Sequence, residues 1–560
     1  MSRSNNRIKK ATMKTKYYLS IAAFGCMAMM SSCNDLLDQH PYGSFTADQL
    51  TEKDVDGLMA SAYAGLEAHF LGNNEAFSGP MTNWILDVRS DDALKGGGGI
   101  SMESNIHQLE ISNITSDNPS LLFKWKNNYY AISRVHQAMN AVQNMTSVTE
   151  DYKASMMGEL QFLRAWFYFD LYHLFDRFPY FGENDDVNQV RYDNKTRAEI
   201  FSSIVGDLES AFATLPNTQT QPGRVNKFVA AALLARVNAF ESNWTEVESW
   251  SKKVMDCGQY SMFDNYLDMS KIDYNNTHES ILALQCSTAN DNLHINWNNL
   301  LNVTYSEGDL YGSGDDFFHA SQNLVDAFRT DANGLPYLDN APNTHVIGDY
   351  YGNVDPRLDC TVGRVGFPWR GYTYTEKWIR EKETYSGYSG KKWCIDPQDN
   401  RCIHTYPYST SLNFIYIRYA DIVLLHAEAL IEQNKDMTTA MREINSIREK
   451  AQRTLSQCGA YSPVDINPML ADYKVGLYQS FPNQDYARKA VRMERRLELA
   501  MEGQRWFDLV RWGVAVDVIN KYFETESQFE SYYGDAKISS DELFWPVPYE
   551  EVNNANGLYN

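Results

Sequence analysis

Residues 488–513 read RKAVRMERRLELAMEGQRWFDLVRWG, and this stretch decides the fold. Met493, Leu497, Ala500 and Met501 recur at steps of three and four, which draws one apolar stripe along a helix. Arg495 stands three residues before Glu498, the spacing of a same-helix ion pair. Gly503 is a natural stop, because glycine takes a left-handed C-cap without steric cost. Trp506, Leu509 and Val510 then restart the stripe on a second helix. The pattern predicts a buried helical hairpin with a structural role.

Outward from this hairpin the chain is mostly helical. The spacing predicts helices over Thr46–Phe70, Leu121–Val142, Tyr152–Phe175 and Thr196–Leu215, the last ended by Pro216. GRVNKFVAAALLARVNAF, from Gly223, opens a hairpin in which Ala230, Ala231, Ala232 and Ala235 allow close helix approach. Its partner runs from about Thr245 to Cys257, and the pair spans roughly 34 residues, the period of a tetratricopeptide-like unit. A similar pair begins at Ile417 (IRYADIVLLHAEALIEQ) and Met437 (MTTAMREINSIREKA).

Between the two helical regions, residues 287–416 lose this periodicity and are rich in glycine, proline, asparagine and aromatics. Long loops of this kind carry function more often than not. A second irregular segment, NWILDVRSDDALKGGGGI at residues 83–100, ends in four glycines that mark a mobile loop. The expected organisation is a signal at 1–32, helical parts at 33–286 and 417–560, and a loop-rich insertion at 287–416.

Composition narrows the function. The 560 residues carry a formal charge of −22, which disfavours nucleic acid as a partner. Hydrophobic residues make up 43%, enough for a large core, and the 13% aromatics include 36 tyrosines, which invites a search for a stacking surface. No P-loop, GxSxG, HExxH or zinc spacing occurs, and the GGGG run lacks the context of a dinucleotide fold. Asp and Glu are too numerous for any one pair to stand out as a glycosidase pair. Asp331, Asn333, Asp339 and Asn340 offer oxygens, but not at EF-hand spacing, so a solvated turn is the better reading. Cysteines beyond residue 33 are scattered, and Cys394 and Cys402 either close a small loop or stay as free thiols.

At the N-terminus, Arg7, Lys9, Lys10, Lys14 and Lys16 precede an apolar run from Leu19 to Met30, and Ser31 and Ser32 precede Cys33. This is a secretory signal, and Met13 to Cys33 already contains a complete one. The small residues before Cys33 resemble a bacterial lipoprotein cleavage site, with Cys33 as the lipidated residue. No apolar run long enough to span a membrane follows it.

ERRLELAMEGQRWFDLVRWG resembles the C-terminal signature of the SusD/RagB family of outer-membrane nutrient-capture lipoproteins. GELQFLRAWFYF, GRVNKF, NVDPRLDCTV, IRYADIVLLHAEAL and the tail WPVPYEE are similar to further motifs of that family, in order along nearly the whole mature chain. Arg-Val-Asn after Gly223 departs from the family's frequent Arg-Pro-Thr. The resemblance implies a mainly α, tetratricopeptide-like helical-hairpin scaffold carrying a loop-rich ligand-binding insertion. It implies an outward-facing, lipid-anchored protein that binds an oligosaccharide and passes it to a SusC-type TonB-dependent transporter, with no cofactor, metal or catalysis. A peptide-capturing relative and a glycan-cleaving enzyme are the alternative readings. Sugar rings stack on flat aromatic faces while Asp, Asn and Arg bind hydroxyls. The residues that suit this role in irregular segments are Trp84, Arg89, Asp91, Asp92, Trp297, Tyr305, Trp369, Arg370, Tyr372 and Trp378.

Overall fold

A computed structural model describes residues 52–67, 84–146, 148–182, 185, 195–288, 304–305, 314–339, 352–402, 410–458, 466–468 and 470–554. Cys33 with its signal, and Trp297, lie outside these residues.

The long helices are α1 (Glu52–Tyr63), α2 (Pro119–Asn144), α3 (Glu150–Leu174), α4 (Arg197–Thr214), α5 (Lys227–Phe240) and α6 (Trp244–Asp256). The C-terminal region adds α7 (Tyr419–Glu432), α8 (Met437–Cys458), α9 (Gln484–Glu498), α10 (Arg505–Arg511) and α11 (Ala515–Glu526). Several begin on side-chain caps. Asn118 accepts from Ser120 N–H ahead of α2, and Thr149 accepts from Tyr152 N–H ahead of α3. Thr196 and Glu199 form a capping box on α4, and Asn226 accepts from two N–H groups of α5.

Packing follows the chain from α1 through α6, each helix against the next; α7 then packs on α6, and α8 and α9 on α7. Helices from the two ends of the sequence therefore form one stack. The alanines of α5 are fully buried, so α4 and α6 come close on either side. The α6–α7 join is also polar: Lys435 pairs with Glu248 at 2.6 Å, and Gln433 Nε2 donates to Glu248 at 2.8 Å.

The strand Ser280–Leu284 pairs antiparallel with Phe414–Arg418, so the chain between them leaves and returns at one place in the stack. Among the described residues of that excursion no helix is longer than the six residues of Gln322–Ala327. Its strand Phe317–Ala320 pairs antiparallel with Ala93–Gly96, which fixes the glycine-rich segment to the insertion.

The 488–513 hairpin is buried as expected, with Leu497, Ala500, Met501, Trp506 and Leu509 at most 1% exposed. Two details differ. First, α9 ends at Glu498, five residues before Gly503. Lys392 Nζ donates to the carbonyls of Glu498 and Ala500, Arg418 also donates to Glu498 O, and Trp393 Nε1 donates to Met501 O. These donors take the carbonyls that another helical turn would have used. Gly503 still adopts φ +75°, and its N–H donates to the Asp87 carboxylate. Second, Arg495 does not pair with Glu498. It bonds Asp421 and Asp508, while Glu498 pairs with Arg357, Arg418 and Lys450. Tertiary partners outcompete the local pair because all these groups are buried together.

Cys394 and Cys402 are free thiols. Burial pushes the Cys394 thiol up to about 12. Asp331 Oδ1 accepts from the N–H groups of Asn333 and Leu335, a self-capped turn. No helix among the described residues is long and apolar enough to cross a membrane.

Candidate functional site

The polar residues expected to meet a ligand near Trp84 are turned inward. Trp84 opens the short helix Trp84–Asp87, and the chain then delivers Arg89, Asp91 and Asp92 to the C-terminal hairpin. The Arg89 guanidinium lies 3.9 Å from the centre of the Trp506 ring, and its Nη2 donates to Glu542 O at 2.8 Å. Burial draws its pKa down to about 9. Asp91 binds Arg505 at 2.8 Å and Arg496 at 3.1 Å, and Asp92 binds Arg496 at 2.6 Å. Burial pushes the Asp91 carboxyl up, but the two guanidiniums outweigh it and hold it below the usual carboxylate range. These groups tie the segment to the hairpin; they are not free to bind hydroxyls.

Trp369 and Trp378 also depart from expectation. They were candidates for exposed platforms, yet Trp369 is 0% and Trp378 8% exposed. With Tyr374, Ile379 and Cys394 they form a small apolar cluster, in which Trp369 stacks on Tyr374 at 5.3 Å between ring centres. Gly363 makes room for the indole, since a Cβ there would sit 2.5 Å from Trp369 Cζ3. Arg370 takes φ +47° and points its guanidinium into the protein, donating to the carbonyls of Cys394 and Lys391 and to Ser270 Oγ. Tyr372 alone of this group is exposed, and its hydroxyl accepts from Gln398 Nε2 at 3.0 Å.

Above the tryptophan cluster lies a face that is open. Tyr305 N–H donates to Trp378 O at 3.0 Å, which fixes the backbone of the half-buried Tyr305 beside the cluster. Arg380 Cζ is 5.3 Å from the Tyr305 ring centre, and its Nη1 is 2.5 Å from Asp315 Oδ1. Both charged side chains are about a third exposed. The glycine run reaches the same place: a Cβ on Gly98 would lie 3.1 Å from Arg380 Cζ. The run is pinned, for Lys95 Nζ donates to the carbonyls of Gly96, Gly99 and Met102, and Gly97 N–H donates to Asp316 O. Burial lowers the Lys95 pKa to about 8. The result is an aromatic ring, a guanidinium, a carboxylate and a close-lying backbone on one half-exposed face. Tyr305 is among the residues that the sequence put forward. Arg380 and Asp315 were not, because nothing in their local spacing links positions 98, 305, 315 and 380.

The scaffold that carries this face matches known proteins. The family model described as "SusD family" matches residues 278–560, just over half of the chain. The chain belongs to the SusD family. A second model, "Starch-binding associating with outer membrane", matches residues 36–238. A SusD-like protein of Formosa agariphila is 22% identical over 541 residues, covering 93% of this chain and 94% of that protein. A SusD-like protein of Bacteroides ovatus is 24% identical, covering 92% and 86%. Among solved structures, a laminarin binding SusD-like protein superposes with a TM-score of 0.67 at 20% identity, over 90% of this chain and 97% of that one. Surface glycan-binding protein A from Bacteroides thetaiotaomicron, in complex with laminarihexaose, superposes with a TM-score of 0.67 at 18% identity, over 91% and 99%. The SusD scaffold of this chain is thus mainly α and tetratricopeptide-like.

Proposed function

We propose that this SusD-family protein is a lipid-anchored, outward-facing outer-membrane protein that binds an oligosaccharide and hands it to a SusC-type TonB-dependent transporter, without chemistry of its own. The observation that carries the ligand reading is the Tyr305–Arg380–Asp315 face beside the glycine run. An aromatic ring offers its face to a sugar's apolar side, and the adjacent guanidinium and carboxylate are a donor and an acceptor for hydroxyls. The Arg380 guanidinium lies against the Tyr305 ring and limits its freedom, so less side-chain entropy is lost when it takes a ligand. The glycan-binding names of two structural neighbours support the ligand class. The lipoprotein-like cysteine supports the anchoring, and the second family description supports the outer membrane. Screening the purified protein against a glycan array and peptide pools tests the reading. Glycan hits are expected; binding confined to peptides overturns it, and new reducing ends from a bound glycan overturn the absence of chemistry.

A further inference from the structure

The strand Phe317–Ala320, which pairs with the start of the glycine run, is anchored at its entry by one buried carboxylate. Asp316 has φ +56°, a conformation that a residue other than glycine keeps only where its surroundings hold it. Its Oδ2 accepts from Arg380 N–H at 2.9 Å, and its Oδ1 accepts from Ser389 Oγ at 2.5 Å. His319 Nε2 lies 2.9 Å from Oδ2 as an ion pair. Asp316 is 0% and His319 1% exposed. The backbone carbonyl of Asp316 accepts from Gly97 N–H, and the preceding residue, Asp315, meets the Arg380 guanidinium. Asp316 therefore joins the glycine run, Asp315 and Arg380, three of the parts that make up the ligand face.

His319 is the donor to Asp316 that can change its charge, and the other side of its ring decides when it does. Nδ1 is 2.6 Å from Ser386 O. A carbonyl only accepts, so Nδ1 keeps its proton. A neutral ring would then turn a bare Nε2 lone pair on the Asp316 carboxylate, and only the imidazolium satisfies both sides. Burial alone would draw the ring's pKa down, but Asp316 and the Ser386 carbonyl outweigh burial and raise it. Gly96 backs the ring, since a Cβ there would lie 3.0 Å from His319 Cδ2. Other titratable groups stand around it. Lys95, on the paired strand, has its Nζ 5.3 Å from the centre of the Tyr385 ring, and Tyr385 meets the imidazole edge-on at 6.2 Å between ring centres. Glu110 acts on both of them, and the Tyr374 hydroxyl bonds Ser389.

We propose that His319 is a positioning residue for the ligand face: its imidazolium holds Asp316, Asp316 holds the Arg380 backbone and Gly97, and loss of the ring proton loosens the face. The inference rests on reading the Tyr305 face as the ligand site. Its direction is fixed. The contribution of the ion pair is full below the ring's ordinary value near 6.5 and is lost as pH rises through the raised value.

The test uses the purified full chain in detergent and needs no ligand. Exchange of the imidazole C2 hydrogen, read by mass spectrometry on the peptide carrying His319, gives the titration of that ring. Backbone amide exchange of the peptide carrying Arg380, corrected for the intrinsic pH dependence, gives the hold on the face. Protection of Arg380 should fall with the same midpoint as the ring, by about a factor of ten for each pKa unit that the pair raises it. In His319→Gln the step should vanish. Ser389→Ala removes a neutral donor from the same carboxylate, so it should lower protection at every pH and leave the step in place. Lys95, lowered by burial to about 8, titrates nearby. A step that survives in His319→Gln and disappears in Lys95→Met belongs to Lys95 and overturns the proposal. Flat protection in the parent chain, or a step with a midpoint away from that of the ring, overturns it without any variant. An array that returns no glycan leaves this measurement standing, and flat protection leaves a glycan hit standing, so the two readings fail separately.

Discussion

Arg496 and Asp92 are 404 positions apart in the chain and are held by a hydrogen bond of 2.7 Å from Nε to Oδ1. The Asp92 side chain is fully buried and Arg496 is 9% exposed, so the pair joins the glycine-rich segment to the C-terminal hairpin inside the protein. Removing one partner of such a pair leaves the other charge buried. Asp92→Ala should therefore cost about 3–5 kcal/mol of stability. Chemical denaturation measures it. A loss under about 1 kcal/mol would mean that Asp91 can take over Arg496 alone.

Trp506 is 1% exposed and carries the Arg89 guanidinium on its face. Truncation to alanine removes a large buried ring and uncovers a buried charge, so Trp506→Ala should cost on the order of 3–5 kcal/mol. The structural role assigned to the hairpin requires that stability falls and ligand affinity follows only through unfolding. A variant with an unchanged melting temperature and lost binding would reverse that role.

The hairpin and the helical stack were readable because their signals are local: apolar residues at helical spacing and alanines where helices touch. The pairings of charges were not. Arg495 and Glu498 have ideal local spacing, yet each is taken by residues from other elements. Arg89, Asp91 and Asp92 looked like ligand groups because they stand in an irregular, glycine-loosened stretch, and nothing near them announces the distant arginines that bury them. For Trp369 and Trp378 the lack of periodicity suggested exposure, but short segments can bury rings by stacking them on each other, as the Trp369–Tyr374 pair does.

Acid groups of opposite behaviour give two pH windows. Glu526 and Glu530 have carboxyls raised to about 7, chiefly by burial, against an ordinary value near 4.5. Folding then favours their protonated forms, so that contribution is full below about pH 4.5 and is lost as pH rises through about 7. Relative to Glu526→Gln, the parent chain should lose stability between about pH 5 and pH 8. Asp326, facing Glu526 and raised to about 6, changes in the same direction. Glu498 is different: burial raises its carboxyl, but Lys450, Arg418 and Arg357 outweigh that and hold it well below the usual range. Its contribution is present above about pH 4.5 and is lost toward strong acid. Paired denaturation curves across pH check this, and parallel curves for parent and Glu526→Gln would refute it.

Anchoring by lipid at Cys33 predicts that Cys33→Ala leaves the protein in soluble fractions. Each buried methylene contributes about 0.8 kcal/mol, so several acyl chains hold far more firmly than one. Fractionation after a high-salt wash is the assay. Retention of the variant at the parent level would count against lipid as the anchor.

The ligand face makes the sharpest demand. The Tyr305 backbone is held by its N–H bond to Trp378 O and the residue is only half-buried, so truncating its side chain should leave the core intact. One stacking platform contributes on the order of 1–3 kcal/mol by burial, and about 1.4 kcal/mol is one factor of ten. Tyr305→Ala should weaken glycan affinity roughly tenfold or more with little change in melting temperature. Arg380→Ala should weaken it too, because it removes both the guanidinium and the partner that orients Asp315. Trp369→Ala should behave in the opposite way: the ring is fully buried, so the variant should lose stability first, on the order of 3–5 kcal/mol. Titration of each folded variant with a glycan identified on the array separates the cases. If Tyr305→Ala and Arg380→Ala both bind as the parent does, this face is not the glycan site, and exposed Tyr372 becomes the next residue to change.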